Sequence, residues 1–131
     1  MIKLSKRLQT IADMVTSGNR LADIGTDHGF LPLYLWEQGR IPSGLAMDVN
    51  QGPLQRAIEH IERQQCQPYI KTRLSDGLAQ LEAGETDTIV IAGMGGGLMV
   101  RILNADSEKL SGIKELILQP QSEQAEVRRC L

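Results

Sequence analysis

The chain has 131 residues, which is close to the length of one ordinary domain and excludes two full-sized domains. Hydrophobic residues make up 41% of the chain and charged residues 23%, so wholesale disorder is excluded. The formal net charge is −2 and only 3% of residues are aromatic, which argues against a protein that grips nucleic acid through a basic surface or an aromatic stacking platform.

The predicted elements begin with a helix and continue as alternating strands and helices. Between Leu4 and Val15 the apolar residues recur at helical spacing, and a Thr-Ser-Gly-Asn run ends this pattern. Short apolar segments then predict five strands, at residues 20–25, 44–49, 69–74, 87–92 and 115–119. Helical patterns follow the first, second, fourth and fifth strands, at 30–38, from Pro53 through Ile61, around 98–103 and from Ser122 to Leu131.

This alternation predicts an α/β fold with a mostly parallel sheet and helices on both faces, because parallel strands need crossover connections. We expect residues 1–18 to form an N-terminal helix packed on the domain and residues 19–131 to form the domain that holds the sheet. The last helical pattern reaches Leu131 without a terminating glycine, so we expect the chain to be the front portion of a longer protein.

The sequence also limits location and metal chemistry. The first residues lack the apolar run of a signal peptide, and no stretch reaches the ~18 apolar residues of a membrane span, so we expect a cytoplasmic protein without a membrane partner. Cys66 and Cys130 lie far apart and match no metal or redox spacing, and the two histidines are also distant, so we expect no metal site.

Carboxylates follow the first three predicted strands, where open parallel sheets bind their ligands. Asp23 and Asp27 flank Gly25 at the end of the first strand, in a segment that matches neither the dinucleotide fingerprint nor the phosphate loop. These two carboxylates would repel a pyrophosphate, so they favour a ligand with a positively charged or hydroxyl-rich face. Asp48 ends the second strand, where such sheets hold ribose hydroxyls, and Asp76 follows the third, where an acceptor could bind an adenine amine.

A glycine-rich run from Ala92 to Gly97 follows the fourth strand. We expect its bare backbone to form a floor for a flat ring or a sulfonium group. A glycine-rich turn that simply opens the next helix is the other interpretation of the same run.

These segments resemble class I S-adenosylmethionine-dependent methyltransferases. The acidic and glycine positions of that family's first motif are matched by Asp23, Gly25, Asp27 and Gly29. Within the class, the chain is similar to the bacterial tRNA (adenine-22 N1)-methyltransferase family in the runs 4–8, 21–28, 31–32, 92–96 and 116–120. The Asp-His pair at 27–28 and the Ala-Gly-Met-Gly-Gly run are much more specific than a generic glycine motif.

The resemblance implies a Rossmann-like methyltransferase domain truncated after about its fifth strand. It would lack the last strands of the class and the C-terminal helical domain that helps this family to hold tRNA. The implied reaction transfers a methyl group from S-adenosyl-L-methionine to N1 of adenine 22 in tRNA and releases S-adenosyl-L-homocysteine. The implied partner is therefore tRNA.

The resemblance also assigns roles to residues. The expected cofactor-binding residues are Asp23, Gly25, Thr26, Gly29, Asp48, Val49, Asp76, Gly77, Ala92, Gly93, Met94 and Gly95. The expected catalytic residues are Asp27, which would stabilise the cationic base that methylation leaves, and His28, which would orient the base or accept a proton from its amine. Phosphates of tRNA are expected to contact three basic residues of the first helix, Lys3, Lys6 and Arg7, although a solvated helix face explains these equally well.

Two other functions stay open at this point. The same cofactor segments would serve a methyltransferase that acts on a small molecule or a protein, and they would also serve an adenosyl-binding domain without catalysis. A dehydrogenase is disfavoured because the sequence lacks G-x-G-x-x-G, and a serine hydrolase because it lacks G-x-S-x-G.

Overall fold

A computed structural model describes residues 2–121 of the chain. Its helices are α1 (Lys6–Met14), α2 (Phe30–Glu37), α3 (Gln51–Arg63), α4 (Gly96–Ala105) and a short 3-10 helix (Ser107–Leu110). Its strands are β1 (Leu21–Ile24), β2 (Gly44–Asp48), β3 (Ile70–Leu74), β4 (Thr88–Met94) and β5 (Glu115–Pro120). All five predicted strands are present, and the helix expected from Ser122 lies outside the described residues.

The five strands form one parallel sheet in the order β3-β2-β1-β4-β5. β1 is central, since Asp23 pairs in register with Ala46 of β2 and with Val90 of β4. The chain builds outward from β1 to β3 and then crosses back to place β4 on the other side of β1. This doubly wound order confirms the Rossmann-like fold expected from the sequence.

The sheet is covered by helices on both faces, as predicted. β1 and β2 are buried along their whole length, which is typical of strands in such a sheet. Successive residues point to opposite faces, so that Leu21 packs in a cluster with α1 and α2 while Ala22 packs in a cluster with α4.

The fourth strand is longer than predicted. Gly93 was expected to bound it, but β4 continues to Met94 and pairs there with Pro120 of β5. The register shifts between Ala92 and Met94, and Gly93 has a φ of 74°, so the extra residue is accommodated as an irregularity at a glycine. Pro120, expected to stop β5, is instead its last residue, a position that proline tolerates at a strand end.

α1 is held firmly against the rest of the domain. The Ser5 hydroxyl caps it by accepting a hydrogen bond from the Leu8 N–H at 3.3 Å. Ile11 is buried in the core, and the guanidinium of Arg40, which follows α2, donates to the carbonyl oxygens of Ala12 and Val15 at the other end of the helix. The position of the side chains on α1 is therefore set by contacts with α2 and the core.

Candidate functional site

A cleft of about 340 Å³ opens at the carboxyl ends of β1 to β4. The strand order reverses here, because β2 and β4 lie on opposite sides of β1, and open α/β sheets bind ligands at this point. A smaller cavity of about 70 Å³ adjoins it, and both are lined by Arg7, Gly25 and Asp27. The larger cleft has the volume of a small-molecule site.

Most of the residues expected to bind a cofactor line one of these two cavities. The larger cleft holds Gly25, Asp48, Val49, Asp76, Gly77, Gly93 and Met94. The smaller cavity holds Asp23, Thr26 and Ala92, together with both expected catalytic residues, Asp27 and His28. Gly29 and Gly95 line neither cavity.

The turn after β1 depends on left-handed backbone conformations. Gly25 has a φ of 74° and Asp27 a φ of 60°, a region that aspartate enters more readily than most residues. The N–H groups of Gly25 and Thr26 both donate to the carbonyl oxygen of Met47 at 2.9 Å, which fastens the turn to β2. The acidic side chains of this turn are therefore presented on a fixed backbone.

Gly29 lies where the turn between β1 and α2 packs against α3. It caps α2 with a φ of 75°, and a Cβ built on it would lie 3.0 Å from the Cβ and 3.3 Å from the Cα of Ala57 in α3. The close approach that requires glycine is therefore between the β1–α2 turn and α3. Gly29 shapes the site by packing, and contributes no surface to either cavity.

Asp23 is the buried acid of the site. Its side chain is 5% exposed, and the Thr26 hydroxyl donates to its Oδ2 at 2.9 Å. Burial raises the pKa of Asp23 to about 7, a shift that the hydrogen bond from Thr26 and the charge of Arg7 oppose and that the charge of Asp48 reinforces. A cationic ligand group beside Asp23 would favour its ionised form.

The Asp48 carboxylate joins the ends of β1 and β2. Its Oδ2 accepts a hydrogen bond from the Asp27 N–H at 3.1 Å, and its Oδ1 accepts one from the Asn50 N–H at 2.9 Å. A carboxylate oxygen has a second lone pair, so each of these oxygens can also accept from a hydroxyl group in the cleft.

The opposite wall of the cleft combines an acid with apolar side chains. Asp76 is exposed, and beside it Gly77 lies against Ile102 of α4, where an added Cβ would come within 3.0 Å of the Ile102 side chain. Val49 and Leu98 also line the cleft and are 58% and 43% exposed. Exposed aliphatic side chains beside a carboxylate suit a flat, partly polar ring.

The glycine-rich run after β4 divides into two parts. Gly93 and Met94 line the cleft, and their expected role as a floor for the cofactor stays a prediction. Gly95 instead caps α4, and Gly96 and Gly97 form its first turn. From Gly95 onward the run therefore has the geometry of a helix-opening turn, and the expected role of Gly95 in cofactor binding stays a prediction.

The side chains of Asp27 and His28 are in contact at the smaller cavity, which both residues line. His28 Nδ1 lies 3.1 Å from Asp27 Oδ2, and both side chains are accessible to solvent. The His28 ring stacks on Phe30 with centroids 5.2 Å apart, and Phe30 stacks on His60 at 4.9 Å. His60 Nδ1 lies 2.8 Å from the His28 carbonyl oxygen, and His60 is half-buried. The two histidines, distant in the sequence, are therefore close in the structure, with ring centroids 6.1 Å apart.

The three basic residues of the N-terminal segment do not all line the cavities. Lys3 and Lys6 are exposed and line neither cavity, whereas Arg7 lines both. Arg7 Nη1 donates to Gln119 Oε1 at 3.2 Å, and the same oxygen accepts from the Gly93 N–H at 3.3 Å. Arg7 is therefore part of the cleft wall, which the sequence did not predict.

Other lining residues were also missed. They are Ile24, Asn50, Pro53, Ser75, Leu98 and Ile102 in the cleft, and Leu8, Phe30 and Leu31 in the smaller cavity. Asn50 could have been found from its place two residues after Asp48. The apolar members carry the same pattern as core residues, so the sequence gives no signal that separates them.

Residues 2–121 also bear on the expected absence of a membrane span and of a metal site. No helix in that range has the length and apolar character needed to cross a membrane. Within the same residues, no three His, Cys, Asp or Glu side chains come together in a group that could hold a metal ion.

The fold and the cleft define a doubly wound α/β domain whose candidate ligand site is rich in carboxylates. A family model described as "Methyltransferase domain" matches residues 4–131, and the chain belongs to that family. The chain is also 41% identical over 130 residues to the tRNA (adenine(22)-N(1))-methyltransferase of Bacillus subtilis, covering 99% of this chain and 55% of that protein.

Two solved structures with bound nucleosides are similar to this chain. A Streptococcus pneumoniae protein in complex with S-adenosyl-L-methionine has a TM-score of 0.95 and 41% identity, over 98% of this chain and 61% of that one. M. capricolum TrmK in complex with S-adenosyl-homocysteine has a TM-score of 0.75 and 36% identity, over 81% of this chain and 48% of that one. The chain thus spans less than two thirds of the length of these relatives.

Proposed function

We propose that this chain is the catalytic domain of a tRNA (adenine-22 N1)-methyltransferase that uses S-adenosyl-L-methionine. The observation that carries the proposal is the 41% identity to the B. subtilis enzyme over nearly the whole chain, joined to a carboxylate-lined cleft at the switch point of the sheet. Every role assigned below belongs to this proposal.

The carboxylates of the cleft, which accept hydrogen bonds and carry negative charge, fit an adenosyl sulfonium compound. Asp48 accepts from the two ribose hydroxyls, since both of its oxygens keep free lone pairs beside the backbone bonds that they already receive. Asp76 accepts from the adenine amine, and the base lies between the exposed side chains of Val49 and Leu98. Asp23 and the Asp27 turn receive the ammonium end.

The cofactor supplies an electrophilic methyl group on a positively charged sulfur. Adenine N1 carries a free lone pair and no proton, so the protein does not need a strong base. The residues near the reacting atoms act by position and charge. The Asp27 carboxylate stabilises the positive charge that methylation leaves on the base, and the His28 ring, fixed by its stacking on Phe30, orients that base.

Recognition of tRNA rests on more than this cleft. Its rim is acidic, and Lys3 and Lys6 are the exposed cations of the N-terminal segment that remain available to tRNA phosphates once Arg7 lies in the cleft wall. We assign most of the tRNA contacts to the C-terminal helical region expected for the family. Such an enzyme acts in the cytoplasm, and a target adenine in a paired region must be extruded from the helix to reach the site.

The test is a methylation assay on defined RNA. The full-length protein, with the C-terminal helical region that the proposal assigns to tRNA binding, is incubated with methyl-labelled S-adenosyl-L-methionine and with two tRNA transcripts, one with adenine and one with guanine at position 22. We expect label in the first transcript only, with 1-methyladenosine identified by mass spectrometry of its nucleosides.

The outcomes separate the competing functions. Label in both transcripts, or at another nucleoside, contradicts position 22 as the target. A full-length protein that binds S-adenosyl-L-homocysteine but labels neither transcript contradicts tRNA methylation as the function of this catalytic domain. Label recovered in a protein or a small molecule would instead favour a methyltransferase that acts on that class of acceptor.

A further inference from the structure

Arg7 occupies a position that phosphate binding does not explain. Its guanidinium lies over the backbone of Gly93, so close that a Cβ built on Gly93 would be 3.2 Å from Nη1. Gly93 has a φ of 74°, so its backbone is suited to glycine on conformational grounds as well. Arg7 lines the cleft and the smaller cavity together with Gly25 and Asp27, which places it at the junction of the two.

Gln119 fixes this position from the end of β5. Its Oε1 accepts from Arg7 Nη1 at 3.2 Å and from the Gly93 N–H at 3.3 Å, so one side-chain oxygen joins α1, β4 and β5. A guanidinium has five N–H donors in a planar fork. Its Nε and Nη2 have no hydrogen-bond partner in the part of the chain that the structure describes. Donors suited to a bidentate carboxylate therefore remain free.

The charges around the two cavities define what this fork can bind. Their lining includes four carboxylates, and among the lining residues within 2–121 Arg7 is the one permanently charged cation. The positive charge of Arg7 also acts on Asp23, where it opposes the rise in pKa that burial causes. A ligand that carries an ammonium and a carboxylate on one carbon could place its ammonium beside these carboxylates and its own carboxylate beside Arg7.

We propose that Arg7 binds the carboxylate of the amino-acid tail of the cofactor, so that α1 forms one wall of the cofactor site and Gln119 is the positioning residue for Arg7. This assignment rests on the proposed function, since it takes the adenosyl compound as the ligand. It replaces the expected contact between Arg7 and a tRNA phosphate.

The test is calorimetric binding of two nucleosides that differ only at the carboxylate. They are S-adenosyl-L-homocysteine and its decarboxylated form, S-adenosyl-3-thiopropylamine. Each is titrated into the wild type, Arg7→Ala, Arg7→Lys and the matched control Arg56→Ala, which removes an exposed arginine of α3 outside both cavities. Thermal unfolding of each variant reports whether it is folded.

We expect Arg7→Ala to weaken S-adenosyl-L-homocysteine binding at least tenfold and to leave the decarboxylated compound within twofold of its wild-type affinity. Arg7→Lys keeps the charge but loses the fork, so it should recover only part of the lost affinity. Arg56→Ala should change neither affinity.

Two results would overturn the assignment. The first is an Arg7→Ala protein that binds both compounds as the wild type does, and the second is one that loses affinity for both equally. Wild-type protein that binds both compounds with the same affinity also contradicts the role of Arg7 but leaves the proposed function standing. Wild-type protein that binds neither compound overturns the proposed function itself.

Discussion

The carboxylate of Asp48 and the backbone N–H of Asp27 are joined by a hydrogen bond of 3.1 Å. This bond connects the acid proposed to hold the ribose with the turn that presents the proposed catalytic acid. Asp27 has a φ of 60°, and a residue in that conformation persists when its surroundings hold it there. The positions of the proposed cofactor-binding and catalytic acids are therefore expected to depend on the same hydrogen bond at the ends of β1 and β2.

The first prediction concerns Asp48. Asp48→Asn removes the negative charge and one acceptor oxygen, so S-adenosyl-L-homocysteine affinity measured by calorimetry should fall by about 1.5–3 kcal/mol. Asp48→Ala also removes both backbone hydrogen bonds, and should therefore cost stability as well as affinity. Unchanged affinity in Asp48→Asn would show that this carboxylate does not bind the ligand.

The second prediction separates the role of Asp27 from that of Asp48. Asparagine tolerates the left-handed backbone conformation, so Asp27→Asn keeps the turn and removes the charge. Single-turnover methylation should slow about 100-fold, with S-adenosyl-L-homocysteine affinity changed less than threefold. Asp13→Asn, an exposed position on α1, serves as the control. A parallel loss of rate and affinity would make Asp27 a binding residue only.

The third prediction follows from the raised pKa of Asp23, about 7. The folded protein keeps the Asp23 proton up to that pH, whereas the unfolded chain releases it near pH 4. The free energy of unfolding should therefore decline as the pH rises from about 4 to about 7, by at most ~4 kcal/mol from this group.

Asp23→Asn cannot ionise and should lack this component of the decline. Urea unfolding of both proteins at several pH values in this range measures the difference. If wild type and variant show the same pH dependence, the pKa of the Asp23 carboxyl is not raised in the folded protein, which contradicts the prediction.

The fourth prediction concerns the contact between Gly29 and Ala57. Gly29→Ala combines an unfavourable φ of 75° with a Cβ 3.0 Å from that of Ala57, so it should lower the free energy of unfolding by about 2–4 kcal/mol. Gly39→Ala is the matched control, since Gly39 has a φ of 70° but nothing within 4 Å of an added Cβ.

Ala57→Gly should relieve the crowding in the Gly29→Ala background but not the backbone strain. The double variant should therefore be more stable than the sum of the two single effects predicts. Equal losses in Gly29→Ala and Gly39→Ala would mean that crowding against α3 contributes nothing.

The sequence predicted those features that depend on neighbours along the chain. The buried run at Ile89 to Ile91 and the alternation of strands and helices were sufficient for the sheet and for the positions of Asp48 and Asp76 at strand ends. Parallel strands end on one edge, so these acids had to lie close together once the strands were assigned.

The missed features depend on contacts between distant segments. Arg7 reaches the cleft because Arg40 and the core set the position of α1, and because Gln119, 112 residues away, binds its guanidinium. His60 is half-buried through contacts with His28, 32 residues earlier. No periodicity or local motif carries that information.

The most direct test of the central claim is a crystal structure of this protein grown with S-adenosyl-L-homocysteine. We predict electron density for the nucleoside across the carboxyl ends of β1 to β4, with its ribose hydroxyls at Asp48 and its adenine beside Asp76. A cleft without the nucleoside, or a nucleoside bound elsewhere on the domain, would contradict the cofactor site proposed for this chain.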